Sequence, residues 1–187
     1  IPASWVQLGL DIDGEAEGDR SGYSVSLSSG GRTVAIGAPF NDGSNGISSG
    51  HARVFQYDET TIPASWVQLG LDIDGEAQGD ESGTSVSLSS DGRTVAIGAY
   101  NNDGNGIDSG HVRVYQYNEN TIPASWVQLG LDIDGEAQGD ESGTSVSLSS
   151  DGRTVAIGAY NNDGNGIDSG HVRVYQYNEN TIPASWV

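Results

Sequence analysis

The residue types best suited to chemistry are carboxylates in a glycine-punctuated stretch, Asp72-Ile73-Asp74-Gly75-Glu76, continuing to Asp80. The same stretch returns as Asp132, Asp134, Glu136 and Asp140. Alternating carboxylates on a turn can converge on a hard cation, and calcium, which takes six to eight oxygen ligands, is the ion such a set suggests. The alternative is that Asp and Gly simply build turns, by side-chain bonding to the backbone and by tolerating left-handed backbone.

A second stretch, Asn101-Asn102-Asp103-Gly104-Asn105-Gly106-Ile107-Asp108, places oxygen-bearing side chains at Asn101, Asp103 and Asn105, with Asp108 following. Its copy supplies Asn161, Asp163, Asn165 and Asp168. This spacing is similar to the opening of an EF-hand calcium loop. The apolar residue and the acid after it come one place early, however, and no glutamate closes the loop. The earliest version of the stretch inserts Ser44 and carries Ser48 in place of Asp108. Here too, turn formation is the competing reading.

Other reactive side chains point away from catalysis. His51, His111 and His171 each open a stretch of β-forming residues. One such histidine per repeat is expected to bond a neighbouring loop, and it makes a metal site only if repeats are brought together. Trp5, Trp66, Trp126 and Trp186, with Tyr115 and Tyr117, suit either packing between sheets or a platform for stacking sugars. No Gly-x-Ser-x-Gly elbow is present, and the absence of lysine removes any Gly-x-x-x-x-Gly-Lys phosphate loop. A carboxylate pair for glycoside hydrolysis would recur in every repeat, an arrangement foreign to enzymes, so a non-enzymatic protein is expected.

Charge and composition narrow the partners. The formal net charge of −19 excludes the basic surface that nucleic-acid phosphates require. All seven cations are arginine, and without cysteine neither disulfides nor thiolate metal sites can form. No apolar run approaches the ~20 residues that span a bilayer. Acidity of this degree fits a well-solvated surface or a salty, calcium-containing external environment.

These residues must be positioned by a repeat. Residues 62–121 and 122–181 are identical at all 60 positions, and residues 1–61 differ from them by eleven substitutions and one insertion, Ser44. Residues 182–187 begin a fourth unit. Self-similarity at this period marks a repeat architecture. Within a unit the apolar period is two: Ser85-Val86-Ser87-Leu88 and Thr94-Val95-Ala96-Ile97 alternate as strands. Asp91-Gly92 between them predicts a two-residue type I′ hairpin pairing Leu88 with Val95 and Val86 with Ile97. His111–Tyr117 and Ser125–Gly130 predict a second hairpin around a Pro123 loop. No window reads as helix. The expectation is an all-β chain of tandem four-stranded antiparallel blades, as an open array or part of a larger assembly. With Leu, Ile, Val and Phe at only 12 of 60 positions in residues 62–121, one unit buries too little apolar surface to stand alone and borrows a face from its neighbour.

Ser21-Gly22-Tyr23-Ser24-Val25-Ser26-Leu27 followed by Thr33-Val34-Ala35-Ile36-Gly37-Ala38-Pro39 resembles the FG-GAP repeat, the blade of the integrin α-subunit propeller and of many secreted proteins. Gly22-Tyr23 stands at the Phe-Gly-like element, Gly37-Ala38-Pro39 at the Gly-Ala-Pro, and His51–Tyr57 resembles the strand that follows. Later units carry Gly98-Ala99-Tyr100 and Gly158-Ala159-Tyr160 instead, and where the family places an Asp-x-Asp-x-Asp-Gly calcium loop this chain has Ser89-Ser90-Asp91-Gly92-Arg93. The resemblance implies propeller-type blades on an extracellular or cell-surface protein. In such blades the outer strand comes from the linking sequence, so Trp5–Gly9 is expected to be an unpaired outer strand and Trp186-Val187 the start of another. Three blades are too few to close a ring of the usual 4–8. A structural or adhesive building block is therefore expected, joining copies of itself through end strands. The alternative is a closed, glycan- or matrix-binding, lectin-like propeller.

Overall fold

A computed structural model describes residues 3–187, and among them there is no helix. Fourteen strands form three successive antiparallel sheets in an open arrangement. In the first, β1 (Ser24–Leu27), β2 (Thr33–Ala38), β3 (His51–Asp58) and β4 (Ser65–Gln68) lie in that order, and the short β5 (Ile73–Asp74) also pairs with β3. The second repeats the plan with β6 (Ser85–Leu88), β7 (Thr94–Ala99), β8 (His111–Asn118), β9 (Ser125–Gln128) and β10 (Ile133–Asp134). The third holds β11 (Ser145–Leu148), β12 (Thr154–Ala159), β13 (His171–Asn178) and β14 (Ser185–Trp186).

The period-two pattern sets the register. Leu88 faces Val95, Ser87 faces Ala96 and Val86 faces Ile97, as the alternation predicts. The connecting turn differs from the expected type I′. Gly92 donates its N–H to the Ser89 carbonyl at 3.0 Å. Gly92 has φ +71°, whereas Asp91 is not among the positive-φ residues, so only one left-handed position is used. Ser89 Oγ accepts from the Thr94 N–H at 2.9 Å, and in the first repeat Ser28 Oγ accepts from the Thr33 N–H at 3.0 Å. That repeat has Gly30 in place of Asp91 and makes the same unprimed turn, so the aspartate, whose Oδ1 accepts from Ser89 Oγ at 2.6 Å and from the Arg93 N–H at 3.0 Å, adds to the turn without causing it. The pairing survives because both turns bring the same residues opposite each other.

Each linker fastens to the sheet before it. After β8, Thr121 Oγ1 donates to the Asn118 carbonyl at 2.9 Å and the chain turns through a cis Ile122–Pro123 bond into β9. β9 pairs with the far half of β8, from Tyr115 opposite Gln128 to Asn118 opposite Ser125. β10 then pairs with the near end of the same strand, Asp134 opposite His111. The sheets are thus offset from the sequence repeats, and each takes its outer strand from the following unit, as expected. The expected strand at Trp5–Gly9 does not form. No strand equivalent to β3 lies beside it among the described residues, and Trp5 is fully exposed.

The core lies between sheets. One cluster joins Ala35, Ala52 and Val54 of the first sheet to Val86, Leu88, Val95 and Ile97 of the second, with Ile73 and Tyr115 completing it. A second joins Ala96, Val112 and Val114 to Leu148, Val155 and Ile157. The first strands β1, β6 and β11 stand side by side. Serine oxygens bridge them: Ser26 Oγ accepts from the Leu88 N–H and Ser87 Oγ from the Leu148 N–H, both at 2.9 Å. Between the second and third sheets the Gly143 carbonyl sits over Gly98. A Cβ on Gly98 would lie 2.0 Å from that oxygen, so no larger residue fits there.

Candidate metal centre at the repeat junction

The two acidic stretches do not gather into loop-enclosed sites. The first divides between two junctions. Asp72 lies with Glu15 and His51, while Glu76 lies with His111 and Asp132; in each trio the ligand-type atoms are all within 4.8 Å of one another. The strand ladder explains the split. β5 lies antiparallel to β3, so Asp72, just before it, remains at the first sheet, and Glu76, just after it, passes on to the second. Asp74 sits in β5, where Ser44 Oγ donates to its Oδ2 at 3.3 Å. Asp80 is buried and spent on structure: its Oδ2 accepts from the Ala77 N–H at 3.1 Å and from Asn102 Nδ2 at 2.9 Å. Asp140 does the same with Ala137 and Asn162. Asp134 accepts from Arg173 Nη2 on its backbone carbonyl.

The second stretch is organised as a turn with an anchor on the next repeat. Asp103 Oδ1 accepts from the Asp108 N–H at 2.9 Å, and Asp163 from the Asp168 N–H at 2.8 Å. Asn105 Nδ2 reaches across to the Gly135 and Glu136 carbonyls, both at 2.9 Å. Asp108 and Asp168 hold left-handed backbone, φ +53° each. Asn165 Nδ2 has no counterpart of that anchor among the described residues; its N–H bonds Ser169 Oγ at 3.1 Å. Asn101 and Asn161, both half-buried, belong to none of the trios found.

His111 opens β8 and is 1% exposed. Its Nδ1 lies 3.8 Å from Glu76 Oε2, beyond hydrogen-bond reach, and has no hydrogen-bond partner among the described residues. The expected bond from this histidine to a loop is therefore missing at that nitrogen. Burial, reinforced by the Arg113 charge, lowers its pKa to about 4 against the opposing pull of Asp132, so the ring is neutral near pH 7. Arg113 Nη1 stands 3.4 Å from Glu76 Oε1, and its Nη2 donates to the Asp74 carbonyl at 2.8 Å. Partial burial raises the Glu76 pKa, Arg113 lowers it, and Asp132, Asp80 and Asp134 raise it further. Carboxylates are thus crowded around a neutral imidazole, with one guanidinium behind them.

The trio draws on two sequence units, His111 and Glu76 from one and Asp132 from the next. The sequence alone set His111 against a neighbouring loop, with a metal site only if repeats meet, and gave Asn102 and Arg113 no role, because their partners are distant in the chain. At the third junction His171 and Glu136 recur, 3.6 Å apart, and His171 is more open to solvent. Trp66, Trp126 and Trp186 pack on Tyr57, Tyr117 and Tyr177, whereas Trp5 is fully exposed. Trp126 Nε1 donates to the Leu69 carbonyl at 2.7 Å, and the ring packs on Tyr117, 5.4 Å between centroids. Arg93 caps Tyr117 from 5.2 Å. Beside this stack a cleft of about 680 Å³ is lined by Arg93, Tyr117, Glu119 and Asn120 among others.

A search of the curated proteins finds no match. Among solved structures, a Bacteroides uniformis protein described as a 6-phosphogluconolactonase superposes with a TM-score of 0.53 at 14% identity, covering 87% of this chain and 38% of its own. The periplasmic gluconolactonase of Pseudomonas aeruginosa gives 0.48 at 17% identity, covering 87% and 41%. Sqt1 of Saccharomyces cerevisiae gives 0.49 at 16%, covering 91% and 35%. The chain thus spans about two-fifths or less of these proteins, and at such identities the first shares its fold alone. No helix among the described residues is long and apolar enough to cross a membrane. The FG-GAP repeat model matches residues 11–55, 72–115 and 132–175, the matches opening on Asp11, Asp72 and Asp132, of which the last two belong to the junction trios. With three tandem matches on three propeller-like sheets, the chain belongs to the FG-GAP repeat family.

Proposed function

We propose that this chain is a non-enzymatic structural or adhesive building block of an extracellular or surface fibre, in which repeats stack face to face. One observation carries the reading. The two end faces are the same surfaces that the internal junctions bury. Val25 and Leu27 are 64% and 62% exposed on the first sheet, whereas their equivalents Val86 and Leu88 are buried against it. On the third sheet Val172 and Val174 lie open, whereas Val112 and Val114 are wholly covered. Each end therefore complements the other by construction, and a further repeat of the same kind, within a chain or on a second copy, fits both. Head-to-tail contacts of this sort give filaments unless the rotation closes.

Sedimentation and negative-stain microscopy of the purified chain over a wide concentration range test this. Concentration-dependent rods are expected, and Val174→Asp is expected to abolish them while leaving the monomer folded. A strictly monomeric particle at high concentration, or a disc, overturns the fibre reading. A glycan-binding module is the second reading, favoured by the polar and aromatic outer-edge cleft that recurs at Tyr57 and Tyr177. Glycan binding lost on Tyr117→Ala would support it.

A further inference from the structure

We propose that the junction between adjacent repeats is a divalent transition-metal site, with Zn2+ as its fitting ion. His111 Nδ1, a Glu76 carboxylate oxygen and an Asp132 carboxylate oxygen are the protein ligands, and His51, Glu15 and Asp72 form the equivalent site one repeat earlier.

Two independent observations meet here. The first is the convergence of the three ligand-type side chains within 4.8 Å. The second is the state of His111 itself. It is 1% exposed, its Nδ1 faces the Glu76 carboxylate, and that nitrogen has no hydrogen-bond partner among the described residues. A buried polar atom without a partner is rare in folded proteins and requires a cause. A proton on Nδ1 would bond Glu76, yet the 3.8 Å separation is too long for that. A lone pair there would face the negative Glu76 carboxylate, and a cation between the two resolves both difficulties.

The remaining oxygens are already assigned. Glu76 turns Oε1 toward Arg113 and Oε2 toward His111. Asp132 accepts Gln128 Nε2 on Oδ1 at 2.6 Å, leaving Oδ2 for an ion. Gln128 and Arg113 thus orient the two carboxylates in the way outer partners orient metal ligands. An imidazole nitrogen with two carboxylates suits zinc and its neighbours, whereas calcium wants an all-oxygen shell of six to eight. Zinc bonds N and O at ~2.0–2.2 Å, so tetrahedral ligands stand roughly 3.4 Å apart and the trio needs only a small contraction. Glu76, two-fifths exposed, is free to make it. A fourth position is left for water. Because Asp132 comes from the following unit, the ion would clamp one repeat to the next.

The third junction supplies an internal control, since it offers His171 and Glu136 and lies outside the two trios found. Titrating the metal-free full chain with Zn2+ by calorimetry is expected to give two tight sites per chain. Asp132→Asn keeps the Gln128 bond and is expected to leave one, and Asp72→Asn with Asp132→Asn to leave none, each variant retaining the circular dichroism of the parent. Co2+ substitution is expected to give the intense visible bands of a low-coordinate nitrogen–oxygen site, and these should halve in Asp132→Asn. His111→Gln is a further variant, checked for folding by the same spectrum. Absence of tight zinc binding, stoichiometry unchanged by Asp132→Asn, or equal displacement by Ca2+ overturns the proposal.

Discussion

Residues 62–121 and 122–181 have the same sequence, so any difference in their surroundings comes from neighbours alone. Val112 and Val114 are 0% exposed, whereas Val172 and Val174 are 67% and 63% exposed. Gly98 is pressed by the Gly143 carbonyl, while a Cβ on Gly158 would meet nothing closer than the Ser145 side chain. Burial in this protein is therefore a property of position in the array. A side chain that is core in one repeat is surface in the next, and stability resides largely in the junctions.

Paired substitutions at equivalent positions are the sharpest way to break that comparison. The largest effect is expected at Gly98→Ala, which drives a Cβ into a carbonyl oxygen 2.0 Å away. It should cost about 3 kcal/mol or more, an upper-range overpacking penalty, whereas Gly158→Ala needs only a serine rotamer change and should cost under about 1 kcal/mol. Urea denaturation of the two variants, read by tryptophan fluorescence, tests this; equal midpoints would show that the junction is not where stability lies. Next comes Val114→Ala, expected to cost about 2 kcal/mol as a core truncation, set against Val174→Ala at under about 0.5 kcal/mol. Hydrogen exchange should place the loss of protection at β8 and β11–β12 together. The smallest contrast lies at the indoles. Trp126→Phe removes the N–H bond to Leu69 and should cost about 1 kcal/mol in a thermal melt. Trp5→Phe should leave the melt unchanged, because Trp5 touches no sheet.

The hairpins were legible because alternation and turn length both act locally. Leu88 opposite Val95 follows from counting outward from Asp91-Gly92, and the outer strand at Ser125–Gln128 follows from its β-forming run. The turn type was not legible, since the serine before it, Ser28 or Ser89, takes the N–H of the threonine that opens the next strand, and the turn follows that bond rather than the left-handed geometry that the dipeptide permits. The junction trio was harder still. His111 and Asp132 are brought together by the β8–β10 pairing, and nothing in either segment announces the other. Asp80 looked like a ligand from its charge, but its role is set by Asn102, which reaches it from beyond a whole hairpin. The repeat-one substitutions show the same logic. Where Glu81 accepts from the Tyr100 hydroxyl at 2.8 Å, the first repeat instead stacks Arg20 over Phe40 at 4.3 Å, exchanging one local brace for another.

The linker that runs back along β8, pairing first as β9 and again as β10, has a mechanical meaning. Because the chain enters β8 at His111 and leaves it at Asp134, opposite that same residue, a pull along the chain opens this pairing from that one end, bond by bond, and the face of the next blade must hold it shut. A strand of such units under tension would yield link by link, and each link would resist until its neighbour's fastening had slipped.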